Sequence, residues 1–181
     1  YCETRPVLRR TYVQLKADVG ALEAYFKSLG VVKGDRVAAI VTNGYEALVA
    51  MLATTSMGAI FSSASPDFGV GAILDRFSQI EPAILVMVNG YGYGGKVFSR
   101  TEDFQAIRQG LPTLKGVVAI EQVPGQAMPQ GSGVVSWEAA LQAGAGQAPR
   151  YTRLITQPIF CFLPAPPASP SVLCMARVAF C

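Results

Sequence analysis

Between Thr11 and Gly30 the apolar residues Leu15, Val19, Leu22, Phe26 and Leu29 recur at spacings of four, three, four and three. That period lines all five along one face of an α-helix, and Gly30 supplies a left-handed stop. Lys33-Gly34-Asp35 is turn chemistry, and Arg36 to Val41 follows as a short buried strand. Asn43 suits an N-cap for a second helix through about Met57, apolar on most sides and therefore well buried. A second strand is predicted from Gly58 to Ser62. A helix should open at Ser65-Pro66-Asp67, with proline in its first turn, and run to about Ile80, where Glu81-Pro82 ends it. Ala83 to Val88 reads as a third strand that breaks at the glycine-rich run Asn89 to Gly95. A polar helix near Thr101 to Gln109, a strand from Gly116 to Ile120, a Gly/Pro/Gln loop and a short helix around Trp137 to Gln142 complete the pattern. Helices alternating with short apolar strands predict an α/β fold with a mainly parallel sheet.

Composition narrows the chemistry. The 181 residues are 51% hydrophobic and 15% charged, with a net charge of +3. This balance is too mild for a nucleic-acid or membrane-surface footprint, and the basic residues are scattered. With no histidine, neither a Ser-His-Asp or Cys-His nucleophile nor an imidazole metal site can form. Cys2 stands alone, and Cys161, Cys174 and Cys181 lack CxxC spacing, so neither a zinc site nor a disulfide framework is indicated. The longest apolar stretch, Ala47 to Phe61, is interrupted by Thr54, Thr55 and Ser56 and is too short to span a bilayer. The first residue is Tyr1 and nothing before Leu15 reads as a signal peptide, so the expectation is a piece of a longer, soluble, cytoplasmic protein.

Single residues carry little chemistry alone. Ser65 and Asp67 read as capping groups, Arg76 with Glu81 as a local ion pair, and Lys33 to Arg36 as a turn with surface charge. Asp75 and Arg76 are adjacent on a helix and cannot share an acid/base site. Tyr45 and Trp137 could line a pocket, although packing is the commoner role for such rings. No catalytic residue and no metal ligand is assigned.

Three segments resemble the adenylate-forming acyl-CoA synthetases, most closely their acetoacetyl-CoA synthetase (acetoacetate-CoA ligase) branch. The first is Leu29-Gly-Val-Val-Lys-Gly-Asp-Arg-Val37 with Asn43 and Glu46, and the second is Met51 to Ser62. The third is the most specific: Ser65-Pro-Asp-Phe-Gly69, Asp75-Arg-Phe-Ser-Gln-Ile-Glu-Pro82 and Gly90-Tyr-Gly-Tyr-Gly-Gly-Lys96. The resemblance is good from Thr11 to Leu114 and thins through Pro149.

It implies that residues 1–150 are part of an N-terminal AMP-binding domain. It also implies a parent ligase that uses ATP, CoA and Mg²⁺. In such a reaction the acid attacks the α-phosphate of ATP, giving an acyl-adenylate and pyrophosphate, and the CoA thiol then displaces AMP. The partners so implied are the small molecules acetoacetate, ATP and CoA. Gly94, Gly95 and Lys96 match a loop that contacts CoA phosphates in related acetyl-CoA synthetases, with Tyr93 where that pattern has an arginine. A simple tight turn over Gly92 to Gly95 is the other reading of this run. The phosphate-binding loop and the C-terminal domain of the family are missing from the chain, so the fragment itself should be inactive and bind none of these cofactors tightly. Two alternatives stay open: a synthetase for another short acid, such as acetate or propionate, and a non-catalytic binding or assembly module with a nucleotide-type fold.

Residues 151–181 break the resemblance. From Leu154 to Cys181 there is one charged residue, Arg177, beside five prolines and three cysteines. When each third codon base is read with the first two bases of the next codon, Arg153 to Pro158 can encode FDHP, which resembles the family's approach to the phosphate loop. Phe162 to Cys181 can encode SSGTTGKPKCIVHGAGGVL without violating a codon. The expectation is an out-of-frame tail, produced by a one-base change of frame shortly before Leu154.

Overall fold

The computed structural model describes residues 5–149, together with the backbone of two short strands at 159–161 and 174–176. Thr11 opens helix α1 (Tyr12–Ser28) with a capping box: its hydroxyl accepts from the Gln14 backbone N–H, and the Gln14 side chain accepts from the Thr11 N–H. Gly30 ends that helix at φ 74°. The heptad-like spacing does what it predicts, burying Val19, Leu22 and Phe26.

The remaining elements are β1 (Arg36–Ile40), α2 (Tyr45–Ser56), β2 (Ile60–Ala64), α3 (Val70–Phe77), β3 (Ile84–Val88), β4 (Gly90–Tyr93), β5 (Lys96–Ser99), α4 (Phe104–Gln109), β6 (Gly116–Ile120), β7 (Val134–Ser136), α5 (Trp137–Ala143), β8 (Ile159–Cys161) and β9 (Cys174–Ala176). The sheet order is β7-β6-β3-β1-β2-β8-β9, and every pairing is parallel except β8 with β9. β4 and β5 form a separate antiparallel hairpin. The α/β class and the parallel sheet agree with the sequence pattern.

Alternation along the strands divides the core in two. Val37, Ala39, Ile84, Val86 and Val118 pack against α1, α2 and α5 through Leu22, Phe26, Val49, Ala53 and Trp137. Ala38, Ile40, Leu85 and Met87 pack against α3 and α4 through Ile73, Phe77, Phe104 and Ile107. Strands covered on both faces must be apolar throughout, which is why β3 and β6 are buried at every position.

Several local expectations are corrected. Gly44, not Asn43, is the N-cap of α2, and it offers no side-chain bond. Ser65, Pro66 and Asp67 do not start a helix: they form a turn, and α3 begins only at Val70, after Gly69, and ends at Phe77. Ser65 and Asp67 are therefore not caps. The third strand does end at Val88, but the run beyond it goes on to form the entry and first strand of a hairpin, because backbone pairing with Lys96–Ser99 compensates for the weak strand preference of glycine. β2 lies two residues later than predicted, at Ile60–Ala64. β7 carries only three residues, too few for a periodic signal.

Candidate functional site

The sheet reverses direction around β1. From β1 the chain steps to β2 on one side, then crosses to β3 on the other. In open α/β sheets the crevice outside the carboxyl ends of the strands, at such a reversal, is where ligands bind. Four chain segments leave the sheet at this edge: Val41–Gly44 after β1, Ser65–Gly69 after β2, Asn89 and the hairpin after β3, and Glu121–Gln122 after β6.

A run of polar contacts joins them. Asn89 is fully buried. Its Oδ1 accepts from the backbone N–H groups of Gln122 (2.9 Å) and Val123 (3.0 Å), while Nδ2 donates to the carbonyls of Val123 (2.9 Å) and Gln126 (3.3 Å). The Gln122 side chain accepts from Arg5 Nη2 at 2.6 Å, and Arg5 grips Glu46 with both terminal nitrogens, at 2.8 and 3.0 Å. Glu46 lies in the first turn of α2, where the helix dipole also favours a carboxylate. On the other side of Asn89, the Arg100 backbone N–H donates to the Asn89 carbonyl at 2.8 Å. The Arg100 guanidinium donates to the Phe68 carbonyl (2.7 Å) and pairs with Asp103 (2.8 Å). Arg76 lies over the Phe68 ring, 4.8 Å from its centroid, and donates to the Ala72 carbonyl. The loops after β2, β3 and β6 and the first turn of α2 are thus fastened to one another, by neutral amide bonds at Asn89 and charge-assisted bonds at Arg5 and Arg100.

The hairpin projects from this fastened base. Gly90 is required at its root, since a Cβ there would stand 2.6 Å from the Phe98 carbonyl. Tyr91 and Phe98 stack across the strands with centroids 5.2 Å apart. At the tip, Tyr93 pairs with Lys96, and Gly94 and Gly95 between them have φ of 59° and 74°, the geometry of a two-residue type I′ turn. The turn alone therefore accounts for both glycines. Lys96 and Tyr93 are exposed beside the turn, and Lys96 makes no ion pair among the described residues. The tip thus presents a cation, an aromatic ring and two side-chain-free backbone positions to solvent.

Other residues singled out in the sequence fall elsewhere. Asp67 and Asp75 are exposed. Glu81 does not pair with Arg76; it faces Arg36 at 3.9 Å, and Arg36 also donates to the Ile80 and Glu81 carbonyls, holding Glu81 at φ 46°. Asp35 is more than surface charge, since its carboxylate accepts from the Val32 N–H and pairs with Lys115. Trp137 is core. Tyr45 donates to Asp18 at 2.6 Å with Arg10 against its ring; burial, then the Asp18 carboxylate, pushes its hydroxyl well above the ordinary tyrosine range. Cys2, Cys161, Cys174 and Cys181 lie outside the residues whose side chains are described. Hollows of about 290 Å³, lined by Ala119, Met128 and Val135 among others, and about 250 Å³, between Glu23, Lys27 and Gln147, are not lined by Gly94, Gly95 or Lys96.

Residues 5–170 match the family described as AMP-binding enzyme, and the chain belongs to that family. Its relatives include the acetoacetyl-CoA synthetase of Macaca fascicularis, 45% identical over 117 residues that make up 65% of this chain and 17% of the relative. The acetoacetyl-coenzyme A synthetase of Rhizobium meliloti (strain 1021) is 41% identical over 114 residues, 62% of this chain and 18% of the relative. Among solved structures, acetoacetyl-CoA synthetase from Streptomyces lividans superimposes with a TM-score of 0.74 at 37% identity, covering 84% of this chain and 23% of that one. The chain therefore spans less than a fifth of the length of these curated relatives.

Proposed function

We propose that this chain is part of an ATP-dependent acyl-CoA synthetase that activates acetoacetate to acetoacetyl-CoA through an acyl-adenylate. The supporting observation is that relatives bearing that name match 65% of the chain at 45% identity. Their match includes the region of the Ser65–Gly69 and Asn89–Lys96 segments, both of which stand on the fastened carboxyl edge. Residues 1–150 serve as part of the AMP-binding domain, and residues 151–181 as an out-of-frame tail. Within the described part, Lys96 is the group suited to a CoA phosphate, with Gly94 and Gly95 permitting close backbone approach. Tyr93 offers a ring and a hydroxyl where a second cation would strengthen that contact. The fragment alone supplies position and one cation, and no transfer step is assigned to it.

The test is a chimera in which residues 5–149 replace the matching segment of the Streptomyces lividans enzyme. It should form AMP and acyl-CoA with acetoacetate, and much less with acetate or propionate. A wide preference for acetate would overturn the acid assignment. In the same chimera Lys96→Ala should raise KM for CoA while leaving acid-dependent ATP–pyrophosphate exchange unchanged. An unchanged KM would remove Lys96 from the site.

A further inference from the structure

We infer that the first turn of α1 and the strap before it, residues 5–13, form a docking face for a stretch of the parent enzyme outside residues 1–181, apolar at its centre and acidic at its margins.

Along this strap the anchors are charged and the outward side chains are apolar, the reverse of an ordinary surface segment. Arg5 bonds to Glu46 and Gln122, and Arg10 lies over the Tyr45 ring, 5.6 Å from its centroid. Both arginines thereby hold the strap against the first turn of α2. Meanwhile Val7 is 87% exposed, Tyr12 90% and Val13 80%, with Leu8 half-exposed beside them. Apolar side chains gathered on a surface in this way mark an interaction site.

Helix α1 carries the same message. Tyr12, Leu15, Val19, Leu22 and Phe26 lie on one stripe, at spacings of three, four, three and four. Phe26, Leu22 and Val19 are buried, Leu15 is partly buried, and Tyr12 stands in solvent. The stripe therefore outruns the core that covers it by one turn. That turn is held as helix by the Thr11–Gln14 capping box, although its side chains Tyr12 and Val13 pack against nothing that removes them from water.

Charge and length select the occupant. From Thr4 to Ala17 there is no Asp or Glu, and Arg9, Arg10 and Lys16 are exposed with no ion pair among the described residues. A second copy docked face to face would set these cations against one another, which is costly, whereas carboxylates would complement them. A lipid surface calls for a broad apolar helix face, but the α1 stripe beyond its first turn is directed into the core. The chain spans less than a fifth of the length of its curated relatives, so most of a parent enzyme is available to cover the face. Assigning the occupant to that parent rests on the ligase reading above; the exposure and charge of the face do not.

The segment 5–149 contains no cysteine, so Val13→Cys places one reporter in the face. Its rate of maleimide labelling, read by mass spectrometry of the peptide that carries it and scaled to the rate in urea, is compared between the chain of residues 1–181 and the chimeric enzyme. Labelling should be about tenfold slower or more in the chimera, where it must await local opening. Arg9→Glu combined with Lys16→Glu should return most of the lost rate. Equal rates in the two proteins would overturn the inference. So would protection of the short chain that grows with its concentration, which gives the face to a second copy, or protection that requires phosphatidylserine vesicles, which gives it to a membrane. Protection that survives both Glu substitutions would overturn the acidic character of the occupant. Should the chimera fail to fold, the cysteine is placed at the matching position of the Streptomyces lividans enzyme and read in the same way. Protection in a chimera that ignores acetoacetate would sink the acid assignment alone, whereas equal labelling in one that activates acetoacetate would sink this inference alone.

Discussion

Asn89 should be the residue whose loss most weakens the carboxyl edge. Asn89→Ala deletes four hydrogen bonds from a fully buried position. They are not equal. The Gln122 N–H retains a bond to the Ile120 carbonyl at 3.1 Å, and the carbonyls of Val123 and Gln126 lose one donor each but keep other lone-pair capacity. The Val123 N–H loses its acceptor at Oδ1, and an orphaned buried donor costs about 1–3 kcal/mol. With about 0.5–1 kcal/mol for each of the other three bonds, the sum is about 2.5–6 kcal/mol, a large part of an ordinary domain's stability. Urea unfolding followed by Trp137, the chain's single tryptophan, should show a midpoint lowered by roughly 1–3 M for a slope of about 2 kcal/mol per M. Asn89→Asp is the informative companion. It keeps both acceptors but points a negative oxygen at the Val123 and Gln126 carbonyls, so its folded-state pKa is raised above the unfolded value. Relative to wild type it should be weak at pH 7 and recover below about pH 4, where the protonated acid can donate. A loss of less than about 1 kcal/mol in Asn89→Ala, with no pH-dependent recovery in Asn89→Asp, would refute the fastening argument.

Three further outcomes follow from the same geometry. Arg5→Gln and Glu46→Gln should each cost about 1–3 kcal/mol and couple by about 1 kcal/mol or more in a double-mutant cycle, since the pair is bidentate and mostly buried; coupling near zero would mean that Arg5 is not held there. Gly95→Val should lower the free energy of unfolding by about 1–2 kcal/mol, while Gly94→Asn, which suits a type I′ turn, should stay within about 0.5 kcal/mol; equal effects would argue against the turn. The Tyr45 hydroxyl holds its proton longer in the folded state than in the unfolded one. Its contribution should therefore be complete below about pH 10 and be lost as pH rises through the higher folded value. Tyr45→Phe should remove that slope from stability measured between pH 9 and pH 11, and a slope identical to wild type would contradict the assignment.

Where the fold was legible in the sequence, burial and period coincided. β3 and β6 are covered on both faces, and their unbroken apolar runs located them to within a residue. α1 declared itself through its stripe and its glycine stop. The helix starts were misread for a physical reason. Ser65-Pro66-Asp67 has the composition of an N-terminus, but Arg100 takes the Phe68 carbonyl and Arg76 covers the Phe68 ring. Those contacts come from later in the chain, and they hold the segment as a turn until Gly69. Local propensity could not anticipate a partner 32 residues away.

The site was legible in its parts and hidden in its assembly. Gly94-Gly95-Lys96 is visible as a motif, yet the same letters satisfy a hairpin turn with no ligand at all, so the sequence could not separate the two demands. Our proposed reading of the tip as a ligand contact rests on the base on which the hairpin stands. A turn needs only Tyr93 to Lys96; it does not need Asn89 buried with four partners, nor Arg5 bonded to a glutamine 117 residues on. Those contacts fix the hairpin against the loops after β2 and β6 and the first turn of α2, at the one edge of the sheet where a parallel α/β fold leaves a crevice. Fixing four segments relative to one another is what positioning of a ligand requires and what a free-standing turn does not. The two demands are weighed at the tip and the root together. In the chimeric enzyme Gly94→Asn, which keeps the turn but adds a side chain where the phosphate is proposed to approach, should raise KM for CoA without loss of stability, and Asn89→Asp should raise it at pH 7 by loosening the root.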